Sequence, residues 1–377
     1  MERVQVSPRV DWEKKVVSNG LVYYKDETGR LYWNEGAYYH FTEKEILLVE
    51  SATERLQEMC LAAAQYIIDN NLFHKLGISD SIADLIRWCW NEEPPAIYGR
   101  FDLAFDGVNP PKLLEYNADT PTSLLEASVI QWFWLQEKFP EKDQFNSIHE
   151  RLVQKWKELG GYLIQKDPLY FTSLDDREDV MTVSYLRETA EQAGIETRYI
   201  KLQDIGWNGD CFIDLGNSEM KSIFKLYPWE WLVAEDFGKH LLDKYRSMQW
   251  MEPIWKMLFS NKGILPILWE MYPGDENLLE AYFDSPCGLE EYVKKPLLSR
   301  EGSNISIVTK DRKEESLGDY GEEGYVYQKY SQLPCFNGNY PVIGSWVVDG
   351  LPCGMGIRES DNLITDNMAR FVPHLFS

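Results

Sequence analysis

The sequence has 377 residues, 44% of them hydrophobic, and a formal net charge of -23. This length exceeds the usual size of one domain, and the hydrophobic fraction supports a sizeable core, so a disordered chain is excluded. The negative charge repels nucleic acid phosphates and anionic membranes and attracts cations such as polyamines and metal ions, although it is also typical of ordinary soluble proteins.

The cysteines and the first residues indicate the compartment. The six cysteines show no CxxC spacing and no zinc-like pairing with the five histidines, so we expect buried free thiols in a reducing environment. The opening "MERVQVSPRV" lacks the apolar segment of a secretion signal, and no apolar run reaches the roughly 20 residues of a bilayer span. A cytoplasmic protein is therefore expected.

The first part of the chain predicts helices followed by a hairpin. Residues 41–70 have the apolar spacing of a long amphipathic helix, in which Thr42 and Glu45 are spaced as a capping box. A second helix is predicted around residues 81–90. Residues 96–119 then predict two strands around a turn rich in glycine and proline.

A helix follows this hairpin. Pro121 stops the second strand, and the helix is predicted from Ser123 to about Lys138. Ser123 and Glu126 have the spacing of another capping box, which supports a helix start at this point.

The middle of the chain alternates between strands and helices. Residues 168–174 predict a buried strand, and 176–194 predict a helix closed by Gly194. Further strands are predicted at 196–202 and 211–215. Strand, helix and strand at this spacing indicate an α/β unit.

The last third returns to strands and loops. After a strand and helix within residues 222–245, strands are predicted within 290–310, 324–330 and 341–360. We expect these strands to form one antiparallel sheet with a flexible loop over Ser299–Asn304.

Polar residues alternate along both strands of the predicted hairpin. Arg100 and Asp102 share one face of the first strand, and Glu115 and Asn117 share one face of the second. Carboxylate and amide oxygens are ligands of Mg²⁺, and an arginine beside them suits a phosphate oxygen. The helix that starts near Thr122 adds free N–H groups suited to an anion. The alternative is a half-exposed hairpin with a solvated polar face.

Basic residues recur later in the chain. In "VKKPLLSREGSNI", Lys295 is placed to reach nucleotide phosphates, and Gly302 and Ser303 allow the backbone to approach them; the alternative is a surface loop. Lys262 follows a possible N-cap at a helix start, an unfavourable end for a cation unless it faces an anion, although a solvated lysine remains an alternative. Arg358 lies at a strand end, and the planar set of N–H donors on its guanidinium suits a phosphate or a carboxylate. Its alternative is a surface ion pair with Glu359 or Asp361.

Taken together, these stretches resemble the glutathionylspermidine synthase family, specifically members that consist of the synthetase alone. The resemblance runs from about Tyr32 to about Phe376, and "RFD" and "EYNAD" combined with the later lysines are highly specific. The matching stretches are "YWNEGAYYHFT", "YGRFDLAFDG", "LLEYNADTPTSLLEA", "FKLYPWEWL", "SNKGILPILWEMYP", "VKKPLLSREGSNI", "YVYQKY" and "GIRESDN".

The resemblance implies a fold and an activity. The fold would be α+β, an ATP-grasp-like synthetase with an antiparallel-sheet nucleotide site, an α/β subdomain and peripheral helices. Residues 1–377 would form one synthetase unit with approximate subdomains at 1–150, 151–250 and 251–377. The activity would be an ATP- and Mg²⁺-dependent ligation of a carboxylate to an amine through an acyl phosphate, releasing ADP. The partners would be small-molecule acids and amines, with ATP and a pair of Mg²⁺ ions as cofactors.

The resemblance also implies site roles, residue by residue. Arg100 would contact the transferring phosphate, and Arg358 would stabilise the acyl phosphate or the tetrahedral intermediate. The implied metal ligands are Asp102, Glu115 and Asn117. The implied ATP-binding residues are Arg100, Lys262, Lys295, Ser299, Gly302, Ser303, Asn304 and Gln328. The implied substrate residues are Thr120 and Thr122 for the acid and Glu230 for the amine.

Departures from the family pattern bear on the substrate. The amidase domain of bifunctional members, which precedes the synthetase, has no room here, so no amidase activity is expected. Thr120 and Thr122 stand where glutathione-using relatives tend to have serines, and Ser299 is a glycine in some relatives. Glutathione and spermidine are therefore analogies.

Two other functions fit the same scaffold. One is a catalytically silent sensor of ATP or polyamines, against which the retention of every matched position speaks. The other is an acid kinase that stops at the acyl phosphate and makes ADP without an amine.

Overall fold

The computed structural model describes residues 1–26, 28–163, 167–366 and 368–377, and its elements are numbered in chain order. The helices are α1 (Trp12–Ser18), α2 (Glu43–Asp69), α3 (Asp80–Glu92), α4 (Gln131–Lys138), α5 (Ile148–Leu159), α6 (Arg177–Gln192), α7 (Trp229–Ala234), α8 (Gly238–Lys244), α9 (Met257–Ser260) and α10 (Ile264–Met271). The strands are β1 (Glu2–Gln5), β2 (Ala37–Phe41), β3 (Tyr98–Ala104), β4 (Lys112–Asn117), β5 (Leu169–Ser173), β6 (Thr197–Lys201), β7 (Gly206–Trp207), β8 (Phe212–Ile213), β9 (Ser222–Leu226), β10 (Gln249–Met251), β11 (Ala281–Phe283), β12 (Tyr292–Pro296), β13 (Ser306–Val308), β14 (Lys313–Glu315), β15 (Tyr325–Lys329), β16 (Tyr340–Val348), β17 (Leu351–Ser360), β18 (Arg370–Val372) and β19 (His374–Phe376).

The central sheet brings the early hairpin beside late strands. Its order is β18-β17-β16-β3-β4, and every neighbouring pair is antiparallel. Every residue of β3 is buried, since this strand lies inside the sheet. Gly344 of β16 lies opposite Asp102, and a Cβ there would come within 2.7 Å of Arg100 Cδ. The glycine therefore leaves room for the arginine side chain.

The strands of the last third divide mainly between two sheets, while the short β19 pairs with β2 in a third. The order β11-β15-β12-β13-β14 forms a second antiparallel sheet, called here the lysine sheet because β12 carries Lys295. β16 and β17 belong to the central sheet instead, so the expectation of one antiparallel sheet is wrong. All of β16 except its first residue is buried. Such a strand needs partners on both edges, and β3, far away in sequence, supplies the second edge.

A parallel sheet forms the middle of the chain. Its order is β10-β9-β5-β6, and α6 connects the parallel strands β5 and β6. This confirms the predicted strand–helix–strand unit. The strand predicted at 211–215 is only β8, which pairs with β7 in a separate ribbon. It stops early because the carboxylate of Asp214 accepts backbone N–H groups of Gly216 and Ser218 and turns the chain.

The two predicted capping boxes differ in outcome. Thr42 Oγ1 accepts the Glu45 N–H at 3.3 Å, and the Glu45 carboxylate accepts the Thr42 N–H at 2.7 Å, as predicted. Ser123 has a left-handed φ of 63°, unlike the extended backbone of an N-cap, and its hydroxyl contacts Tyr32 Oη at 3.0 Å. Neither carboxylate oxygen of Glu126 has a hydrogen-bond partner among the described residues, so this second box does not form.

Two hydrophobic clusters hold the sheets together. One packs α2, α3 and α10 against the central sheet, and the other packs α4, α5 and α6 against β16 and the parallel sheet. In the part of the chain that the structure describes, no helix is both long and apolar enough to cross a membrane.

The six cysteines are all free thiols. Three are buried, as expected, but Cys211 is partly exposed and Cys287 and Cys335 are exposed. The last two lie in loops outside both hydrophobic clusters, where no core is available to bury them.

Removing the hydroxyl of Thr42 tests the cap of α2. Thr42→Ala is expected to lower the free energy of unfolding by about 1 kcal/mol, because the Glu45 N–H loses its acceptor. Urea denaturation measures the change. Lys44→Ala, at an exposed position of the same turn, is the control and should be nearly neutral. Equal effects of the two substitutions would contradict the role of the cap.

Candidate active site

The β3–β4 hairpin places four polar residues on one face of the central sheet. Arg100 lies opposite Asn117, and Asp102 lies opposite Glu115, so the polar faces of the two predicted strands are aligned. Arg100 and Asp102 are only 6% and 3% exposed. The alternative of a solvated polar face is therefore wrong.

The Asp102 carboxylate connects these residues. It accepts hydrogen bonds from Arg100 Nε at 2.7 Å and Arg100 Nη2 at 3.1 Å. It also accepts from Arg358 Nη2 at 3.0 Å and Asn117 Nδ2 at 3.2 Å. Asn117 Nδ2 lies 3.1 Å from Glu115 Oε1 as well, so the polar face is one network.

Arg358 does not form the surface ion pair that was its alternative. Glu359 and Asp361 both bind Arg370 instead, at 3.2 and 2.6 Å. The guanidinium of Arg358 turns toward Asp102, where it lines two neighbouring cavities.

The two lysines are buried, and each has oxygen partners. Lys262 Nζ lies 3.0 Å from Glu115 Oε2 and donates to the Ser299 carbonyl at 2.5 Å. Lys295 Nζ donates to Gln328 Oε1 at 2.7 Å and to a backbone carbonyl of β4 at 2.9 Å. Each lysine is 6% exposed, so neither is a solvated surface lysine.

Glu115 and Lys295 have shifted pKa values. Burial alone would raise the pKa of Glu115, but the nearby Lys262 and Lys295 ammonium groups outweigh burial and hold it well below its usual range. Burial lowers the pKa of Lys295 to about 8, against the opposing attraction of Glu115. Lys295 is therefore a cation that burial penalises, as expected for a site that gains an anionic ligand.

The loop Ser299–Asn304 lies over this network. Gly302 has a φ of 69°, and a Cβ there would lie 2.8 Å from Ile364 Cγ2. Asn304 also has a left-handed φ, of 54°, and the Ser303 hydroxyl donates to a backbone carbonyl at 3.4 Å. The loop is thus a tight turn whose Ser299 carbonyl is held by Lys262.

Two cavities meet at this network. The first lies against the lysine sheet and is lined by the polar Lys295 and Gln328 and by apolar residues that include Val293, Ile307 and Leu333. The second has a volume of about 380 Å³ and contains Thr120 and Thr122. The residues that line both cavities are Glu115, Gly302, Arg358 and Thr365.

Arg300 connects the loop to the predicted substrate residues. Its Nη1 donates to Thr120 Oγ1 at 2.7 Å, and its Nη2 donates to Glu230 Oε1 at 2.6 Å. The backbone carbonyl of Thr122 accepts from Arg100 at 2.7 Å. Glu230 therefore binds an arginine in this structure, and its assignment to the amine remains a prediction. Arg300 was missed, although it lies within the "LLSREGSNI" stretch.

Two acidic residues of the second cavity were also missed. Glu178 and Asp179 lie in the first turn of α6, where acidic residues usually serve the helix, so the sequence carried no signal. Burial raises the pKa of Glu178, and burial together with the neighbouring Asp176 and Glu178 raises the pKa of Asp179 to about 7. The second cavity thus has an acidic wall facing its basic residues.

Asp119, the last residue of the "EYNAD" stretch, is buried in an ion pair beside the site. It is fully buried, accepts from Lys225 Nζ at 2.6 Å and accepts the Trp229 N–H at 2.9 Å. This buried ion pair joins the central sheet to the parallel sheet. The motif contained the residue, but its partner more than a hundred positions later was not predictable.

The predicted metal ligands offer Mg²⁺ only part of a coordination shell. Within the described ranges, no cluster of three or more His, Cys, Asp or Glu side chains is arranged to hold a metal. Mg²⁺ usually keeps several waters and binds through one or two carboxylates plus phosphates. Asp102 and Glu115, with the Asn117 amide between them, supply that kind of donor set. The residues therefore fit Mg²⁺ brought with a nucleotide better than a metal held by protein alone.

Comparison with known proteins gives the family. The model of the family described as glutathionylspermidine synthase preATP-grasp matches residues 3–377. A Haemophilus influenzae protein named "Putative acid–amine ligase" is 40% identical over 100% of both chains. Trypanothione synthetase of Crithidia fasciculata is 28% identical over 81% of this chain and 51% of that protein.

One further relative and one solved structure are also similar to this chain. The bifunctional glutathionylspermidine synthetase/amidase of Escherichia coli is 26% identical over 87% of this chain and 57% of that protein. The chain thus spans little more than half the length of these two larger relatives. A glutathione synthetase-like effector from Globodera pallida has a TM-score of 0.58 at 13% identity, covering 97% of this chain and 96% of that one. This likeness shows a glutathione synthetase-like α+β fold.

Lys295 predicts an alkaline limit to nucleotide use. Because its pKa is about 8, its charge is present below that pH and is lost as the pH rises through it. We expect kcat/KM for ATP to fall above about pH 8. Lys295→Arg should remove the fall, since arginine stays protonated. Lys294→Arg, next to it on β12, is the control and should keep the fall; an unchanged profile in Lys295→Arg would assign the limit to another group.

Glu115→Gln tests the metal role at nearly constant shape. We expect Mg²⁺ to strengthen ATP binding to the unaltered protein and to lose about 10–100-fold or more of this effect in the variant, because a metal-binding oxygen loses its charge. Calorimetric titration with ATP, with Mg²⁺ and with EDTA, measures it. Glu314→Gln, on β14, is the control. Equal Mg²⁺ dependence in Glu115→Gln and the unaltered protein would remove Glu115 from the metal site.

Proposed function

The chain belongs to the glutathionylspermidine synthase family, and from this premise we propose that it joins a glutathione- or peptide-like carboxylate to a polyamine-like amine. Membership makes it an ATP-dependent carbon–nitrogen ligase. The observation that carries the proposal is the meeting of two cavities at Arg358 and Glu115. One cavity suits a nucleotide and the other suits the organic substrates.

The first step activates the acid. A carboxylate oxygen of the acid attacks the γ-phosphorus of ATP, the bond to the β-phosphate oxygen breaks, and ADP leaves with the bonding electron pair. Lys262 and Lys295 hold the phosphates, and Arg100 faces the transferring group. The loop Ser299–Asn304 excludes water, which would otherwise hydrolyse the acyl phosphate.

Mg²⁺ would be held by Asp102, Glu115 and Asn117, and we propose a pair of ions. Bound there, Mg²⁺ neutralises negative charge on the phosphates. The same carboxylates now accept from Arg100, Arg358 and Lys262. The site therefore supplies both the oxygen ligands and the cations that a nucleotide needs.

The second step forms the amide. The amine attacks the acyl carbon, inorganic phosphate leaves, and the nitrogen loses a proton. Arg358 stabilises the negative oxygen of the tetrahedral intermediate. Asp179 is suited to accept the proton, because its pKa of about 7 lies near neutrality.

The second cavity offers places for both substrates. Thr120 and Thr122 lie on its side nearest Arg100 and are proposed to hold the acid. The acidic wall of Glu178 and Asp179 is proposed to attract the cationic amine. Glu230 is held by Arg300. We propose that Glu230 also binds the amine once Arg300 moves toward a phosphate.

The experiment that tests this function is ADP release across a matrix of acids and amines, with mass spectrometry of the products. Glutathione, simple peptides and amino acids are crossed with spermidine, putrescine and other amines in Mg²⁺-ATP. ADP release that needs both substrates and gives a condensed product supports the ligase. Release with the acid alone supports the acid kinase, and ATP binding without release from any pair supports the sensor.

Arg358→Ala separates binding from chemistry. We expect ATP affinity to change little, because Lys262 and Lys295 remain, and turnover to fall by about 10²–10³-fold, because the developing oxyanion loses its donor. Calorimetry and ADP release measure the two quantities. Arg30→Ala removes an arginine that pairs with Asp361 at 3.1 Å outside both cavities and is the control. Unchanged turnover in Arg358→Ala would remove this residue from the mechanism.

A further inference from the structure

A third cavity of about 420 Å³, called here the apolar chamber, lies on one face of the parallel sheet. Its buried lining comes from the β7–β8 ribbon and the segment after it, from β9, from α8 and from the segment that ends in β10. The main apolar side chains are Phe212, Met220, Ile223, Leu241, Met248 and Trp250. No step of the proposed reaction uses this cavity.

The chamber exists because one face of the sheet is incompletely covered. Phe171 and Phe224 point to the opposite face and pack in the hydrophobic cluster that contains α6. Thr172 and Ile223, one position along each strand, point into the chamber. Among the described residues, short elements cover this side, including α7, α8, the β7–β8 ribbon and the segment 202–205.

The chamber adjoins the second cavity. Leu174 and Tyr227 line both, and they follow the carboxyl ends of the parallel strands β5 and β9. Ligands of open α/β sheets bind beyond these ends. Leu174 and Phe237 line the chamber although they are 37% and 41% exposed, so apolar surface faces solvent there.

The charges of the chamber are already satisfied. Its two charged lining residues are Lys225, which binds Asp119 at 2.6 Å, and Glu235, which accepts from Tyr227 Oη. An uncharged and mainly apolar group therefore suits the chamber, since a further charge would lose its hydration without gaining a partner; Thr172 Oγ1 and Trp250 Nε1, which lack partners among the described residues, leave room for one polar atom on it. The second cavity differs, because its acidic wall of Glu178 and Asp179 suits a cationic group.

We propose that one of the two substrates carries an apolar arm, alkyl or aromatic, that binds in the apolar chamber while its reacting group lies at Arg358. The inference rests on the proposed function, because that function places the reacting groups in the second cavity. The two positions adjoin at Leu174 and Tyr227, which line both cavities. The chamber then selects the substrate, while the polar network performs the chemistry.

Chain-length series test the arm on either substrate. One series is glycylglycine acylated with chains from acetyl to octanoyl, and the other is putrescine N-alkylated from methyl to hexyl. Calorimetry with Mg²⁺ and a non-hydrolysable ATP analogue gives affinities, and ADP release gives kcat/KM. We expect affinity to rise about fourfold per added methylene in one series until the chamber is full. The series that rises identifies the substrate that carries the arm.

Two variants fill the chamber from different sides. Met220→Trp adds bulk from a buried position, and Gln203→Trp adds it from an exposed lining position where folding is not at risk. Both should flatten the dependence of affinity on chain length. Leu215→Trp, 77% exposed and outside the lining, is the matched control and should keep it.

The outcomes separate the two proposals. Flat affinities in both series for the unaltered protein, or a rise that persists in both filled variants, would overturn the chamber as a substrate site. A rise that the filled variants abolish supports it, whether or not ADP is released. Absence of ADP release from every pair, with that rise intact, would overturn the ligase and leave the chamber standing.

Discussion

The shared carboxylate of Asp102 is the constraint on which the site depends. Two guanidinium groups and an amide converge on it, and β3, the strand that carries it, is wholly buried. A buried carboxylate without such partners would lose its charge, and the arginines without it would repel each other. With Lys262 and Lys295 included, basic side chains outnumber the carboxylates of Asp102 and Glu115. A strongly acidic protein thus holds a basic centre, which favours an anionic ligand at that point.

Local patterns predicted much of this centre. Alternation along each strand was enough to place Arg100 with Asp102, and Glu115 with Asn117, on shared faces, and the pairing of the hairpin then brings the two faces together. The cap of α2 was predictable too, because it depends on residues close in sequence. The partner of Arg358 was not, because Asp102 lies 256 residues earlier. The capping box predicted at Ser123 was wrong. Its spacing to Glu126 is that of a cap, but Ser123 has a left-handed φ and its hydroxyl contacts Tyr32.

The proposed substrate side was harder to predict than the proposed phosphate side. Phosphate recognition uses arginine and lysine, whose charge makes them visible in a sequence. The second cavity and the apolar chamber are built from residues that look like ordinary helix starts and core positions, such as Asp179 and Ile223. The buried Asp119–Lys225 pair, whose lysine lines the apolar chamber, joins the central sheet to the parallel sheet. Relatives with one chemistry can therefore differ in substrate through residues that no motif marks.

The order of strands in the central sheet has a consequence for synthesis. A ribosome makes β3 and β4 long before β16 and β17, yet β3 is buried between β4 and β16. Until residues 340–360 emerge, one edge of β3 stays unpaired and Asp102 lacks Arg358. Pairings of such long range form slowly and leave exposed edges that favour aggregation. A nascent chain of this protein therefore completes its candidate active site late. An mRNA truncated before the codons of β16 yields a product that cannot assemble this site.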